Sequence, residues 1–403
     1  MRLCKQMRNT FAVVLFFFLP AYPSSARPSA RVDSTFSIQG ADFPENYPAT
    51  FIKAFDLSPD GKILAVEFEA WEGKGLTAIW VALWNTEDNG LISHKRLEGP
   101  GKDILANVQY SYDIRFTRDG RKLLVLTGPR LLTVDVNTLD TLHSISSEAP
   151  HVWPPKGLVI RNFSISRDSR ILAVLYDFHA SYSPSSTIRV FDFQSGRLLT
   201  EWTIEGTARS MSLSPGGKQI ILSMNTVIAG RKVPLEVQNV LLVDTRTGRR
   251  LRGFNTGYLA GDAQFLPDGK QIATISANVA EWRLYSEDTL KIWDAESAEL
   301  LEELHYEKYG IRGTLAIAHE APLLAVSTGW GNPTDIKLDR DVTRGFDRLQ
   351  LWDISTGKLL FVSSDLAGDP LPGFGGFLTR VSASGTKVAV GGTIVHVYRI
   401  SND

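Results

Sequence analysis

Short apolar runs recur along the chain, each introduced by a turn of the same chemistry. They read SPDGKILAV from Ser58, TRDGRKLLV from Thr117, SRDSRILAV from Ser166, SPGGKQIIL from Ser214 and LPDGKQIAT from Leu266. Two degenerate copies follow, AHEAPLLAV from Ala318 and SASGTKVAV from Ser382. Proline presets φ and glycine accepts positive φ, so each copy predicts a tight turn leading into a strand. The runs scarcely alternate, which marks strands covered on both faces. A second signature follows the first six turns: LWNTEDNG from Leu83, VDVNTLD from Val134, FDFQSGR from Phe191, VDTRTGR from Val243, WDAESAE from Trp293 and WDISTGK from Trp352. An alternating strand such as LKIWD from Leu290 leads into it, and an apolar strand such as KLLFV from Lys358 leads out. The unit is four short antiparallel strands. Marked by Asp60, Asp119, Asp168, Gly216, Asp268, Glu320 and Ser384, successive units lie 59, 49, 48, 52, 52 and 64 residues apart. Units of this kind bury their faces only against one another, and the expectation is an all-β ring of seven sheets.

On these motifs the chain resembles the seven-bladed β-propellers of the Trp-Asp-repeat and YVTN-repeat type. The letters that carry the resemblance are the Ser-Pro-Asp-Gly-Lys turns and the pairs Trp293–Asp294 and Trp352–Asp353. The Gly-His dipeptide that opens many Trp-Asp repeats is missing, and with it the His-to-Asp tetrad of intracellular scaffold proteins. A likeness to quinoprotein dehydrogenases is one of fold only, because no haem-attachment site or cysteine pair accompanies it. The seventh unit runs out after VHVYRI, Val395 to Ile400, without an outermost strand, while TFSIQ, Thr35 to Gln39, precedes the first turn without a partner. A ring left open would expose unpaired backbone edges. The N-terminal strand is therefore expected to complete the last blade.

Ahead of that strand lies an address. Arg2, Lys5 and Arg8 precede an apolar stretch from Phe11 to Leu19, and Ser24 and Ala26 put small residues at positions −3 and −1 of a cleavage site. Nine apolar residues rise about 14 Å as a helix, too short to span a bilayer. Residues 1–26 are read as a signal peptide and 27–403 as one propeller domain, secreted or periplasmic, monomeric, with no membrane span in the mature chain. The single cysteine, Cys4, would leave with the signal, so the mature chain rests on its core without disulfides. Charge is nearly balanced at 43 − 44 = −1, becoming 40 − 44 = −4 after cleavage. Such a chain has no field with which to collect phosphates, and nucleic acid is not an expected partner.

Loop lengths point to one face. From turn marker to third-strand marker (Asn85, Asp135, Asp192, Asp244, Asp294, Asp353 and Arg399) the distances are 25, 16, 24, 28, 26, 33 and 15 residues. The surplus is assigned to the connection between second and third strands. Blade-to-blade connections are also long after the first, second and sixth units, at 34, 33 and 31 residues. Both kinds of connection open on the same face, while the opposite face carries only tight turns. The long connections hold Trp71, Trp153, Tyr182, Trp282, Tyr285, Tyr309 and Trp330, with Arg283 and Arg344 beside them. Aromatic faces next to a guanidinium suit a peptide side chain or a sugar ring.

Catalytic signatures do not stand out. There is no Gly-x-Ser-x-Gly elbow, no phosphate-binding Gly-x-x-x-x-Gly-Lys and no cysteine pair for zinc or haem. The histidines, His94, His143, His151, His179, His305, His319 and His396, lack metal-pair spacing, and Asp335, Asp339 and Asp341 read as a solvated charge run. Asn162 begins an Asn-Phe-Ser glycosylation triplet, but it heads a predicted inner strand where burial would block its use. No cofactor, metal or catalytic residue is assigned. The reading favours a propeller that binds a protein, peptide or glycan. The alternative is a metal-assisted lyase, lactonase or other hydrolase with carboxylates or histidines converging on the channel mouth.

Overall fold

A computed structural model describes residues 30–39, 42–43, 50–73, 76–97, 111–147, 158–178, 185–225, 237–257, 259–277, 289–305, 314–328, 348–363, 366 and 378–402. The predicted signal segment lies outside them.

Seven four-stranded antiparallel sheets are present. The first blade runs Thr50–Leu57, Ile63–Gly73, Leu76–Asn85 and Leu91–Leu97 from the axis outward. The inner strands of the next five blades are Tyr112–Phe116, Leu158–Ile165, Ala208–Leu213, Leu259–Phe265 and Leu315–Ile317. In the seventh, Leu378–Val381, Lys387–Gly391 and Ile394–Asn402 are completed on the outside by Ala30–Gln39. That N-terminal strand pairs antiparallel with the last, Ile38 opposite Val395 and Ser37 opposite His396, with a register shift between Ser34 and Phe36. The expected closure is found, and the strand begins at Ala30 rather than Thr35, twice the predicted length.

Side chains explain why no blade could stand alone. Each described apolar cluster fills one gap between neighbouring sheets, and there are seven, one for every interface of the ring. The closing interface is built like the others: Ile38, Val395 and Val397 of the seventh blade meet Phe55, Val66 and Phe68 of the first. Fully burying one such side chain contributes about 1.5–3 kcal/mol. Polar clasps reinforce this seam, where buried Lys387 donates to Thr86 O at 3.0 Å, Thr86 Oγ1 at 2.8 Å and Glu87 Oε1 at 2.7 Å. Arg399 pairs with the same Glu87.

The turn signature explains its own recurrence. Ser58 Oγ donates to Asp60 Oδ1 at 2.7 Å and accepts from Ile63 N at 2.9 Å, while Gly61, at φ +73°, returns its amide to Ser58 O. Thr117 with Asp119 and Ser166 with Asp168 repeat the arrangement at 2.6 Å. The third blade carries Ser169 where its neighbours carry glycine, at φ +53°. In the Trp-Asp signatures the aspartate caps the outer turn: Asp294 Oδ1 accepts from the amides of Glu296 and Ser297, as Asp244 does from Arg246 and Thr247.

One expectation is corrected. In the first blade the surplus between second and third strands is not a loop. It lengthens the hairpin to Gly73 and Leu76, because LAVEFEAW and LTAIWVAL keep strand-forming residues up to the bend. Trp71 therefore sits on a strand, opposite Thr77.

Candidate functional site

The inner strands converge on the axis. Two residues before each turn's Ser, Thr, Leu or Ala, the seven strands present Asp56, Arg115, Ser164, Ser212, Gln264, Ala316 and Arg380 in one layer, all lining a cavity of about 210 Å³. A strand alternates its side chains, so the intervening Phe55, Phe163, Met211 and Ala263 go to the cores while this layer turns inward.

Much of that layer holds blades to blades. Asp56 Oδ2 accepts the Phe116 amide of the second blade at 2.8 Å. Ser164 accepts the Leu213 amide at 2.9 Å, linking third to fourth. Asp262, one pleat deeper, accepts the Leu315 amide at 3.1 Å, and Thr314 accepts the Thr379 amide at 3.0 Å. Gln264 donates to both Asp262 and Leu315 O. Arg380 reaches furthest, donating to Asp113 Oδ1 at 2.6 Å with its Nε 3.7 Å from Asp56 Oδ1. Arg115 Nε donates to the other Asp113 oxygen at 3.2 Å. Burial raises the Asp56 carboxyl to about 6, offset in part by Arg380 and Arg115.

The short-turn end of the cavity is rimmed by the central turn residues Pro59, Arg118, Arg167, Pro215, His319 and Ala383. Three are small or cyclic; the two arginines and the histidine are not. Arg118 of the second blade crosses to Glu320 of the sixth at 3.4 Å. Arg167 of the third blade reaches Pro267 O of the fifth at 3.5 Å and His319 O of the sixth at 3.2 Å, and its Nε is buried without a partner. His319 is depressed to about 4, first by burial and then by the positive charge of Arg167 and Arg118. Among the described residues, no group of three or more His, Cys, Asp or Glu is arranged to hold a metal ion.

This cavity opens on the face of tight turns, opposite the face the loop lengths singled out. Of the aromatic set, Trp71 is placed only by its backbone, in a strand. Trp153, Tyr182, Trp282, Arg283, Tyr285, Tyr309, Trp330 and Arg344 lie outside the described residues, as do His151, His179, Asp335, Asp339 and Asp341. Asn162 lies within the inner strand Leu158–Ile165, its side-chain oxygen buried, in keeping with the expectation that it is shielded. His94 packs on Phe43 and Trp80 at the first blade's edge. The rim residues were not singled out by motif. Their signal is a substitution within the turn: TRDG, SRDS and AHEA put Arg118, Arg167 and His319 where SPDG and LPDG have proline.

No protein-family model matches the chain, and no curated protein matches it. Its fold is similar to that of solved structures. A chain of the Kuenenia stuttgartiensis hydrazine synthase shares 15% identity over 73% of this chain and 76% of that one, with a TM-score of 0.51. A chain of a mitotic checkpoint complex shares 14% identity over 97% of this chain and 99% of that one, with a TM-score of 0.59. At these identities the likeness is one of architecture: the chain is a seven-bladed β-propeller.

Proposed function

We propose that this chain is an exported binding propeller, secreted or periplasmic and monomeric, which offers the face of long connections to a protein, peptide or glycan. The observation that carries the reading is the use made of the axial acids. Asp113 and Asp56 are engaged by Arg380, Arg115 and the Phe116 amide, and Asp262 by the Leu315 amide. These acids tie blades into a stiff frame instead of standing open to a reacting group. A stiff ring holds its loops at fixed spacing, which suits recognition. Trp282 and Trp330, with the arginines of the same connections, are the proposed anchors.

The test is capture of a partner from the native extracytoplasmic fraction. Trp282→Ala with Trp330→Ala is expected to reduce capture at least tenfold with the melting temperature unchanged. Undiminished capture would contradict the assigned face. A stoichiometric metal in the purified protein would favour the hydrolase or lyase alternative instead.

A further inference from the structure

At the opposite end of the channel the ring holds more guanidinium capacity than its own acids use. Arg115, Arg118, Arg167 and Arg380 line the cavity, and Asp56, Asp113, Asp262 and Glu320 act on them, so the charges balance while guanidinium donors outnumber the acceptors that reach them. Arg380 is committed to Asp113 and Asp56. Arg115 is not: only its Nε is engaged, so its two terminal amino groups have no hydrogen-bond partner among the described residues. Arg167 is held by two long bonds to carbonyls, and its buried Nε has none. A buried donor without an acceptor is costly, more so when charged, so an acceptor that reaches it gains by the pairing. The Arg118–Glu320 bridge spans 3.4 Å between exposed side chains, weak enough to yield to a better partner.

We infer that the short-turn mouth of the channel is a binding site for a small aliphatic or aromatic monocarboxylate, gripped by Arg115 and Arg167 with Arg118 closing over it. Shape and charge select this class. A carboxylate presents two coplanar oxygens to a guanidinium fork and brings a single charge to a ring whose arginines and acids already balance. A compact dianion such as phosphate would meet Asp56, Asp113 and Glu320 at close range. Beside the arginines the wall is apolar, with Phe116, Leu213 and Phe265 placed to cover a hydrocarbon tail. The volume is below the roughly 300–1,000 Å³ of pockets for drug-sized ligands, which fits a small organic acid. The site is independent of the long-connection face, and either can fail without the other.

Titration calorimetry of the full mature chain with hexanoate at pH 7 tests it, against neutral hexanamide and inorganic phosphate. Saturable one-to-one binding of hexanoate is expected, at least tenfold tighter than either comparison compound. Arg167→Met should weaken it at least tenfold, whereas Arg121→Met, on the exposed side of a turn, should leave it unchanged. Because Arg167 also supports the rim, a second measurement uses the wild-type protein. The His319 imidazole, faced by Arg167, Arg118, Arg115 and Glu320, should titrate at a higher pH when hexanoate is bound, since the anion offsets its cationic neighbours. No saturable hexanoate binding, phosphate binding as tightly, full affinity in Arg167→Met or an unmoved His319 midpoint would each overturn the assignment.

Discussion

Arg380 and Asp113, 267 residues apart in the chain, meet at 2.6 Å beside the propeller axis. They belong to the seventh and second blades, so their bond bridges over the first, and both are buried, at 2 % and 5 % exposure. The pair is a cross-tie between blades that share no sheet and no apolar cluster. Removing one partner of a buried ion pair strands the other. Arg380→Leu is therefore expected to cost about 3–5 kcal/mol in denaturant unfolding, with Arg115 left as the one cation beside Asp113 and Asp56. Adding Asp113→Leu should return part of that loss. A coupling below about 0.5 kcal/mol in the double-mutant cycle would show that the tie is incidental.

Glu67 presents the opposite situation. It lies on the second strand of the first blade at 0 % exposure, and both carboxyl oxygens lack hydrogen-bond partners. Burial, with Asp113 nearby, raises its carboxyl well above the ordinary value. The equivalent positions of three other blades hold Leu126, Leu175 and Ile275, all buried. Glu67→Leu should stabilise the fold by about 1–3 kcal/mol at pH 7, read as a rise in melting temperature. A fall would mean that the carboxylate has a stabilising partner.

Asp177 gives a pH dependence with a definite sign. Burial raises its carboxyl from 3.8 to about 6, against the opposing pull of Ser186 and Arg161. Below pH 3.8 folded and unfolded states are both protonated, so the group is neutral to stability. Between 3.8 and about 6 the unfolded chain ionises first, and stability falls as pH rises. The loss levels off above about 6, at no more than about 3 kcal/mol for a shift of this size. Asp177→Asn should remove that component, so unfolding free energies from pH 4 to 7 should fall less steeply in the variant than in wild type. Parallel profiles would contradict the assignment.

Ser169 tests the turn register. At φ +53° it holds a backbone conformation that the corresponding Gly61, Gly120, Gly217, Gly269 and Gly385 occupy freely. Left-handed backbone costs a side-chain-bearing residue about 1–2 kcal/mol, offset by the larger unfolded-state entropy of glycine. Ser169→Gly should gain about 0.5–1 kcal/mol in the same unfolding assay. Destabilisation would imply that the Ser169 side chain contributes a contact of its own.

These cases show what the sequence makes legible. The blade count, the turn chemistry and the role of the N-terminal strand follow from local signals: Pro-Asp-Gly spacing, β-branched runs and a sheet short of one strand. The channel was not legible in the same way. Asp56, Arg115, Gln264 and Arg380 are single polar letters inside apolar runs, and only the closing of the ring brings residues 56, 113 and 380 together. Arg118, Arg167 and His319 read as worn copies of a turn until their side chains are seen to share one rim. Loop length also misled in the first blade, where extra residues extend a hairpin and carry Trp71 onto a strand.

Closure by the N-terminal strand underlies both proposed sites, since each needs the blades fixed around one axis. Ile38, 1 % exposed, is buried in the seam cluster opposite Val395, and Ser37 to Gln39 pair with Ile394 to His396. Amide hydrogen exchange across Ile394–Asn402, compared between the chain from residue 27 and one lacking residues 30–39, tests this most directly. Loss of the partner strand should accelerate exchange there by at least tenfold and extend to the Phe55 and Phe68 side of the seam, with a lower melting temperature. Protection unchanged in the shortened chain would contradict a ring held shut by its own beginning.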